Sequence, residues 1–492
     1  MITFFVCVAI LTIGYFTYGT IVDRIIKPDD GIVTPAHRMA DGVDYVKLPW
    51  WKVLLTQFLN IAGLGPIFGA ISGAAFGPVA FIWITFGCLF IGSVHDILSG
   101  YVSMKHDGLS ISELVGLYLG NGVKQFMRIF TLVLLLLVGV VFMMPPAEWL
   151  GNTIPLGFMG IESDMVWMLI IIAYFVLATI LPINKLISKI FPLFSILMLV
   201  MCVLLFGGIM IAVANGEATM VEFTFGTVHP TGLAAMPFLL VTIACGAVSG
   251  FHATKSPMMA RCIEKESETK RVFFGAMVIE GVVALIWAAV AMALVGDRFW
   301  GSTPYGVGAM GGPGTLVNDM SFMLLPAGLA YFLVIIAIIL VPITSADTGF
   351  RSMRMLIGDA LKLEQSSLKN RTLISIPIFA VAFALTFVDF DIIWRYFAWS
   401  NQTIAAIALW TGASWLAVNK KFHWIATLPA TFLSWLSVAY ILQAPTEGFG
   451  LDPTFSNIAG VVFAIALFGI FIVKAPSMKV KEYTLINKKS AS

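Results

Sequence analysis

Charge is what this sequence has least of: Asp, Glu, Lys and Arg together make up 11% of its 492 residues, while 59% are apolar and mean hydropathy is +0.95. A soluble core cannot hide that much apolar surface, so the chain needs lipid as its solvent. Cysteine is scarce as well. The five present (Cys7, Cys88, Cys202, Cys245 and Cys262) form no CxxC pair and no framework spacing, so neither a structural disulfide nor a zinc site is expected. Also missing are an HExxH pair, a GxSxG elbow, a repeated pore motif and a ring of like charges. Those absences argue against a membrane-embedded enzyme and against a channel. No nucleic-acid partner and no organic cofactor are expected.

What the chain does have is long uncharged runs, most of them about 19 to 25 residues, enough for a helix to cross roughly 30 Å of hydrocarbon. The alternating ten-residue segments of a membrane barrel are absent. The expectation is an all-α polytopic membrane protein. Thirteen candidate spans fall near 2–22, 51–76, 78–104, 126–144, 165–183, 189–213, 236–255, 273–296, 325–350, 371–388, 392–417, 422–442 and 455–473. The first run has no basic leader or small-residue cleavage site before its charges at Arg24 and Lys27, so it reads as a retained span.

Lys and Arg set the orientation, because basic loops stay on the cytoplasmic side. Twenty-seven of the 29 basic residues lie in seven regions at alternate ends of the spans, from 23–52 to 474–489, the exceptions being Arg298 and Arg395. Loops 145–164, 214–235 and 443–454 carry acidic residues but no Lys or Arg. The expected placement is a multi-pass protein of the cytoplasmic (inner) membrane, N-terminus outside, ending in a basic cytoplasmic tail at 474–492. The Gly- and Pro-rich segment 297–324 reads as a flexible outer connector.

Two spans are interrupted at mid-membrane. TQFLNIAGLGPIFGAISGAAFG contains Gly63, Gly65, Pro66, Gly69 and Gly73, and FLLVTIACGAVSGFHATKSP contains Gly246, Ser249, Gly250 and His252. Gly and Pro discourage continuous helix, and the freed backbone groups cannot face lipid. Five spans separate the breaks, so the two segments run in opposite directions. Paired discontinuous helices in inverted repeats point to a transporter's central site. The repeats would span 51–213 and 236–417, with an extra N-terminal helix and loop in 1–50 and two extra C-terminal helices in 422–473.

Ionisable residues inside a membrane cost about 2.5–3.5 kcal/mol each on insertion scales, so each needs a reason. His95 and Asp96, His252, Glu280 and Asp347 are the candidates. Asp96 shares a helical face with Gly92, Ser99, Gly100 and Ser103, which suits either a structural hydrogen bond or proton carriage. Glu280 suits either helix anchoring or proton binding. Lys255 lies near the expected inner boundary and reads as snorkelling. After Pro342, Thr344, Ser345, Asp347 and Thr348 crowd into about one turn. Their hydroxyls suit a Na⁺ site at Thr344 and Ser345, or ordinary back-bonding to the helix. Asn401 and Gln402 are neutral polar groups in an otherwise apolar helix, costly if they faced lipid.

Several of these stretches occur in an order that resembles the carbon starvation protein A (CstA) family of membrane transporters, best across residues 43–415. They are DGVDY at 41–45 with IAGLGPIFG at 61–69, GSVHDILSGYVSMKHDGLSISEL at 92–114, SGFHA at 249–253, TSADTGFRSMR at 344–354 and SNQTIAAIAL at 400–409. The resemblance implies a LeuT-like five-plus-five inverted repeat and ion-coupled uptake of peptides or pyruvate during carbon starvation. Na⁺ or H⁺ would be the coupling ion, and an amino-acid cargo is the alternative. Two departures stand out: Gln57 where the family commonly has His, and ATKSPMMARC at 253–262 where it usually continues with a Thr-Thr-Pro-Lys run. The expected substrate residues are Gly63, Gly65, Pro66, Gly246, Ser249, Gly250, His252, Asn401 and Gln402. Those for the coupling ion or proton are Thr344, Ser345, Asp347, Asp96 and Glu280.

Overall fold

The computed structural model describes residues 1–42, 44–157, 160–180, 184–224, 226, 229, 232–295, 312–363 and 367–478. Among them the chain is helical almost throughout, with an isolated β-bridge between Leu48 and Ile263. Among the described residues ten helices are long and apolar enough to cross a membrane, or eleven when one bent pair is joined. In chain order the helices begin with α1 (Ile2–Ile26), the bent pair α2 (Trp50–Ala62) and α3 (Gly65–Gly73, extended by one 3₁₀ turn), and α4 (Val79–Lys105). Past a short helix α5 (Ile111–Leu119) come α6 (Asn121–Thr153), α7 (Ser163–Ile180) and α8 (Phe191–Ala214). The second half contains α9 (Gly250–Ala260), α10 (Glu266–Leu294), α11 (Gly312–Leu324) and α12 (Ala327–Gly358). It closes with α13 (Leu368–Leu385), α14 (Phe390–Val418), α15 (Trp424–Gln443) and α16 (Pro453–Lys474).

Thirteen spans were expected, and two of them fall outside the ten or eleven for physical reasons. Segment 236–255 is split between a turn and a half of helix at Ala235–Thr242 and the later α9. The 29-residue helix α14 carries Asp391, Arg395, Asn401 and Gln402, which lower its hydropathy although its inner face is buried. The connector expectation for 297–324 needs correction. Residues 312–324 form helix α11, whose apolar Leu316, Val317 and Met320 are buried at spacings of one, three and four along one helix face. Residues 296–311, with Arg298, and the tail beyond 478 lie outside the described residues.

Polar side chains close the helix ends where the chain turns back. Asp389 accepts from the Asp391 and Ile392 amides at 2.9 and 3.3 Å to start α14, and Asp452 accepts from the Phe455 amide at 2.9 Å to start α16. Pro342 does not break α12, because the π-helical stretch Ile335–Leu340 just before it absorbs the missing amide and the ring clash. Burial concentrates where α2 to α4, α9, α10 and α14 meet, whereas α1, α7, α13 and α16 expose apolar side chains outward, as lipid-facing helices do.

Candidate functional site

The two expected breaks exist, and they lie against each other. Between α2 and α3, Gly63 adopts φ +45°. Between Ala235–Thr242 and α9, Gly246 adopts φ +89°. Only glycine enters that region cheaply, so the sequence fixes both discontinuities. α2 and α3 are bent by 47°. Cys245 presses on Gly65 so closely that any side chain there would overlap its Cβ and Sγ. A Cβ on Gly246 would lie 3.7 Å from the Cα of Pro66 and 2.6 Å from the Cβ of Ala284. One on Gly69 would lie 3.1 Å from the Thr242 carbonyl oxygen. Gly63, Gly65, Pro66, Gly246, Ser249, Gly250 and His252 are all buried, so the meeting point is closed to solvent.

Freed backbone groups of the second break are taken up by named side chains. Gln402 donates to the Leu240 carbonyl at 2.9 Å, and the Trp83 indole donates to that of Ile243 at 3.0 Å. On the far side, Asn401 Oδ1 accepts from the Phe251 amide and from Ser249 Oγ, both at 2.9 Å. Asn401 and Gln402 thus hold the ends of the interruption apart, a task that their sequence neighbourhood does not reveal. Glu280 on α10 accepts from the Gly246 amide at 3.0 Å.

Around Glu280 the isolated ionisable residues converge. His252 Nδ1 lies 3.0 Å from Asp96 Oδ2, and His252 Nε2 lies 3.3 Å from Glu280 Oε2. Asp96 Oδ1 lies 2.8 Å from His95 Nδ1. All four side chains are fully buried. Cys245 Sγ stands 3.3 Å from Ser249 Oγ on the same side of the break. His95, Asp96, His252 and Glu280 stand out singly in the sequence, whereas Cys245 does not. No short spacing links α4, the break, α9 and α10, so only the fold could bring them together.

The group on α12 takes a different arrangement. Thr344 Oγ1 donates back to the carbonyls of Leu340 and Val341 at 2.9 Å, as a helical Thr does. Ser345 Oγ faces Gly63, 3.2 Å from where a Cβ would stand, and is buried with no hydrogen-bond partner. Asp347 pairs with Arg351 at 3.6 Å. The snorkelling expectation for Lys255 is overturned. Its ammonium points inward, fully buried, donates to Thr348 Oγ1 at 2.9 Å and lies 4.7 Å from the centre of the Phe251 ring. α9 runs on to Ala260, so Lys255 sits mid-helix rather than at the boundary. The two departures from the family pattern also meet, Gln57 Nε2 donating to Ser256 Oγ at 3.2 Å.

Comparisons with known proteins place this geometry. Over residues 1–161, 147–308 and 302–439 the chain matches the family described as "Carbon starvation protein CstA". It is 27% identical to the peptide transporter CstA of Bacillus subtilis, over 96% of this chain and 95% of that protein. Against the Escherichia coli peptide transporter CstA it is 26% identical over 90% of this chain and 80% of the relative. An uncharacterized membrane protein of Haemophilus influenzae is 42% identical over 60% of this chain and 91% of its own length. Among solved structures, the Eremococcus coleocola manganese transporter superposes with a TM-score of 0.54 at 15% identity, covering 89% of this chain and 99% of that one. A Na⁺-coupled sialic acid symporter superposes with a TM-score of 0.51 at 14% identity, covering 96% and 98%. Identity that low carries the LeuT-type transporter fold and nothing of the cargo. The chain is a multi-pass membrane protein and belongs to the carbon starvation protein CstA family.

Proposed function

We propose that this chain is a gradient-coupled symporter that imports a small carboxylate-bearing solute, a short peptide or pyruvate, when carbon is limiting. The observation that carries this reading is the contact between the two breaks, with Gly63 and Gly246 both at positive φ in a buried meeting place. Half-helix N-termini there, at Gly65 in α3 and Gly250 in α9, offer partial positive charge to a carboxylate. Relatives named as peptide transporters along most of the chain support the peptide, and an amino acid is the alternative cargo.

Coupling falls either to Na⁺ at Thr344 and Ser345, next to the Gly63 break, or to a proton on Asp96, Glu280 or Asp347. The five-helix repeats are assigned to 51–213 and 236–417, and the basic loops to the cytoplasm. A cavity of about 80 Å³ between α5, α6, α9 and α12 is lined by Ser110, Thr131, Thr254, Met258 and Ser352, and Arg261 stands at its wall. In the proposed orientation it opens toward the cytoplasm, two helical turns beyond the break. With the breaks buried, the conformation is occluded.

A thermal-shift screen of short peptides, keto acids and amino acids in detergent, with Na⁺ present or replaced, tests the cargo. A true ligand at 100 times its Kd raises stability by about 2.7 kcal/mol. Peptides or pyruvate are expected to raise the melting temperature. Peptides and keto acids that shift nothing while amino acids do would transfer the assignment to the alternative cargo.

A further inference from the structure

We propose that Cys245, His252 and Glu280 form a binding site for one divalent transition-metal ion of the Zn²⁺ class. Their donor atoms lie within 4.8 Å of one another, and all three residues are buried. The site stands on its own geometry and does not depend on the transport reading.

The decisive feature is the pair His252 Nε2 and Glu280 Oε2. They are 3.3 Å apart, and among the described residues neither atom makes a hydrogen bond. Two oxygen or nitrogen ligands of a tetrahedral Zn²⁺, each at about 2.0–2.1 Å, are themselves separated by about 3.3 Å. Opposite, His252 Nδ1 faces Asp96 Oδ2 at 3.0 Å, and Asp96 is held by His95 at 2.8 Å. A carboxylate on Nδ1 fixes the N–H there and turns the Nε2 lone pair outward, the arrangement that orients metal-binding histidines. That lone pair then looks at a carboxylate oxygen, and two acceptors so placed require a shared cation between them. A proton can supply it; so can a metal.

Cys245 tips the donor set toward a metal. A thiolate, an imidazole and a carboxylate are the ligand types that favour Zn²⁺ over Mg²⁺ or Ca²⁺. One thiolate and one carboxylate also balance the charge of a divalent ion, so the occupied site adds no net charge to the core. Binding releases the thiol proton and any proton held between His252 and Glu280. Three protein ligands leave a fourth position open. Because Cys245 and the Glu280-bound amide of Gly246 adjoin each other in the break, an ion there ties the break to α9 and α10. Scarce cysteines without a CxxC pair do not advertise this site, since Cys245 and His252 flank the break and Glu280 comes from α10.

Full-length protein in detergent, stripped with chelator and titrated with Co²⁺, tests the site. One equivalent is expected to produce a thiolate-to-cobalt charge-transfer absorption with tetrahedral visible bands, both displaced by Zn²⁺. Cys245→Ser should abolish the charge-transfer band, and Asp96→Asn, which keeps all three ligands, should weaken binding about 10- to 100-fold with the band intact. The site is overturned if normally folded wild-type protein shows no saturable band, or if the band survives in Cys245→Ser. The readout is spectroscopic, on purified protein without substrate or gradient, so a failed metal site leaves the uptake test of the transport reading untouched, and the two fail separately.

Discussion

Gln57 on α2 donates its side-chain amide to Ser256 on α9 at 3.2 Å, and Ser256 in turn donates to the His252 carbonyl at 3.0 Å. The two places where this chain departs from the pattern it otherwise resembles are therefore one contact, made across the two broken elements and about one turn from His252. A double-mutant cycle of Gln57→Ala and Ser256→Ala in thermal melts should give a coupling of about 0.5–1.5 kcal/mol. Strict additivity would show that the pair does not interact.

Asn401 serves two donors at the start of α9, and Gln402 serves a carbonyl before the break. Removing such a partner leaves buried groups unsatisfied at a cost of about 1–3 kcal/mol. Asn401→Ala and Gln402→Leu should accordingly lower the melting temperature in detergent without ligand. If either variant lost substrate affinity with unchanged melting, that residue would be a substrate contact rather than a clamp.

Gly63→Ala and Gly246→Ala place a Cβ in left-handed backbone, 2.7 Å from the Phe142 ring in the first case and 2.6 Å from Ala284 in the second. Strain and overlap together should cost more than about 1 kcal/mol each, and uptake should fall to background. Wild-type uptake in both variants would separate the breaks from transport.

How much of this was legible beforehand depended on whether a signal was local. Gly-Leu-Gly-Pro and the Gly246 to Gly250 stretch interrupt apolar runs, so both breaks could be read directly, and the exclusion of charge from most spans made Asp96, His252 and Glu280 conspicuous one by one. Their convergence was not readable, because it depends on which faces of α4, α9 and α10 turn toward each other. Lys255 was misread for the opposite reason. It stands at the expected inner end of span 236–255, whereas α9 continues past it and turns it inward. Asn401 and Gln402 announced themselves as buried polar groups, but their partners at the break, Ser249, Phe251 and Leu240, are far from them in sequence.

The alternation of basic loops makes a separate prediction about orientation. All five native cysteines are buried, so introduced ones can be labelled against a quiet background. A membrane-impermeant maleimide on intact cells should label Glu217→Cys, and should label Lys420→Cys only after permeabilisation. Both positions are exposed. The reversed pattern would invert the assigned topology.

Gradient-driven uptake is the central claim, and purified protein in proteoliposomes tests it most directly. Labelled pyruvate and short peptides should accumulate above equilibrium when an inward Na⁺ or H⁺ gradient is imposed, and accumulation should collapse when that gradient is dissipated. Uptake no greater than in protein-free liposomes, across peptides, keto acids and amino acids under both gradients, would contradict it.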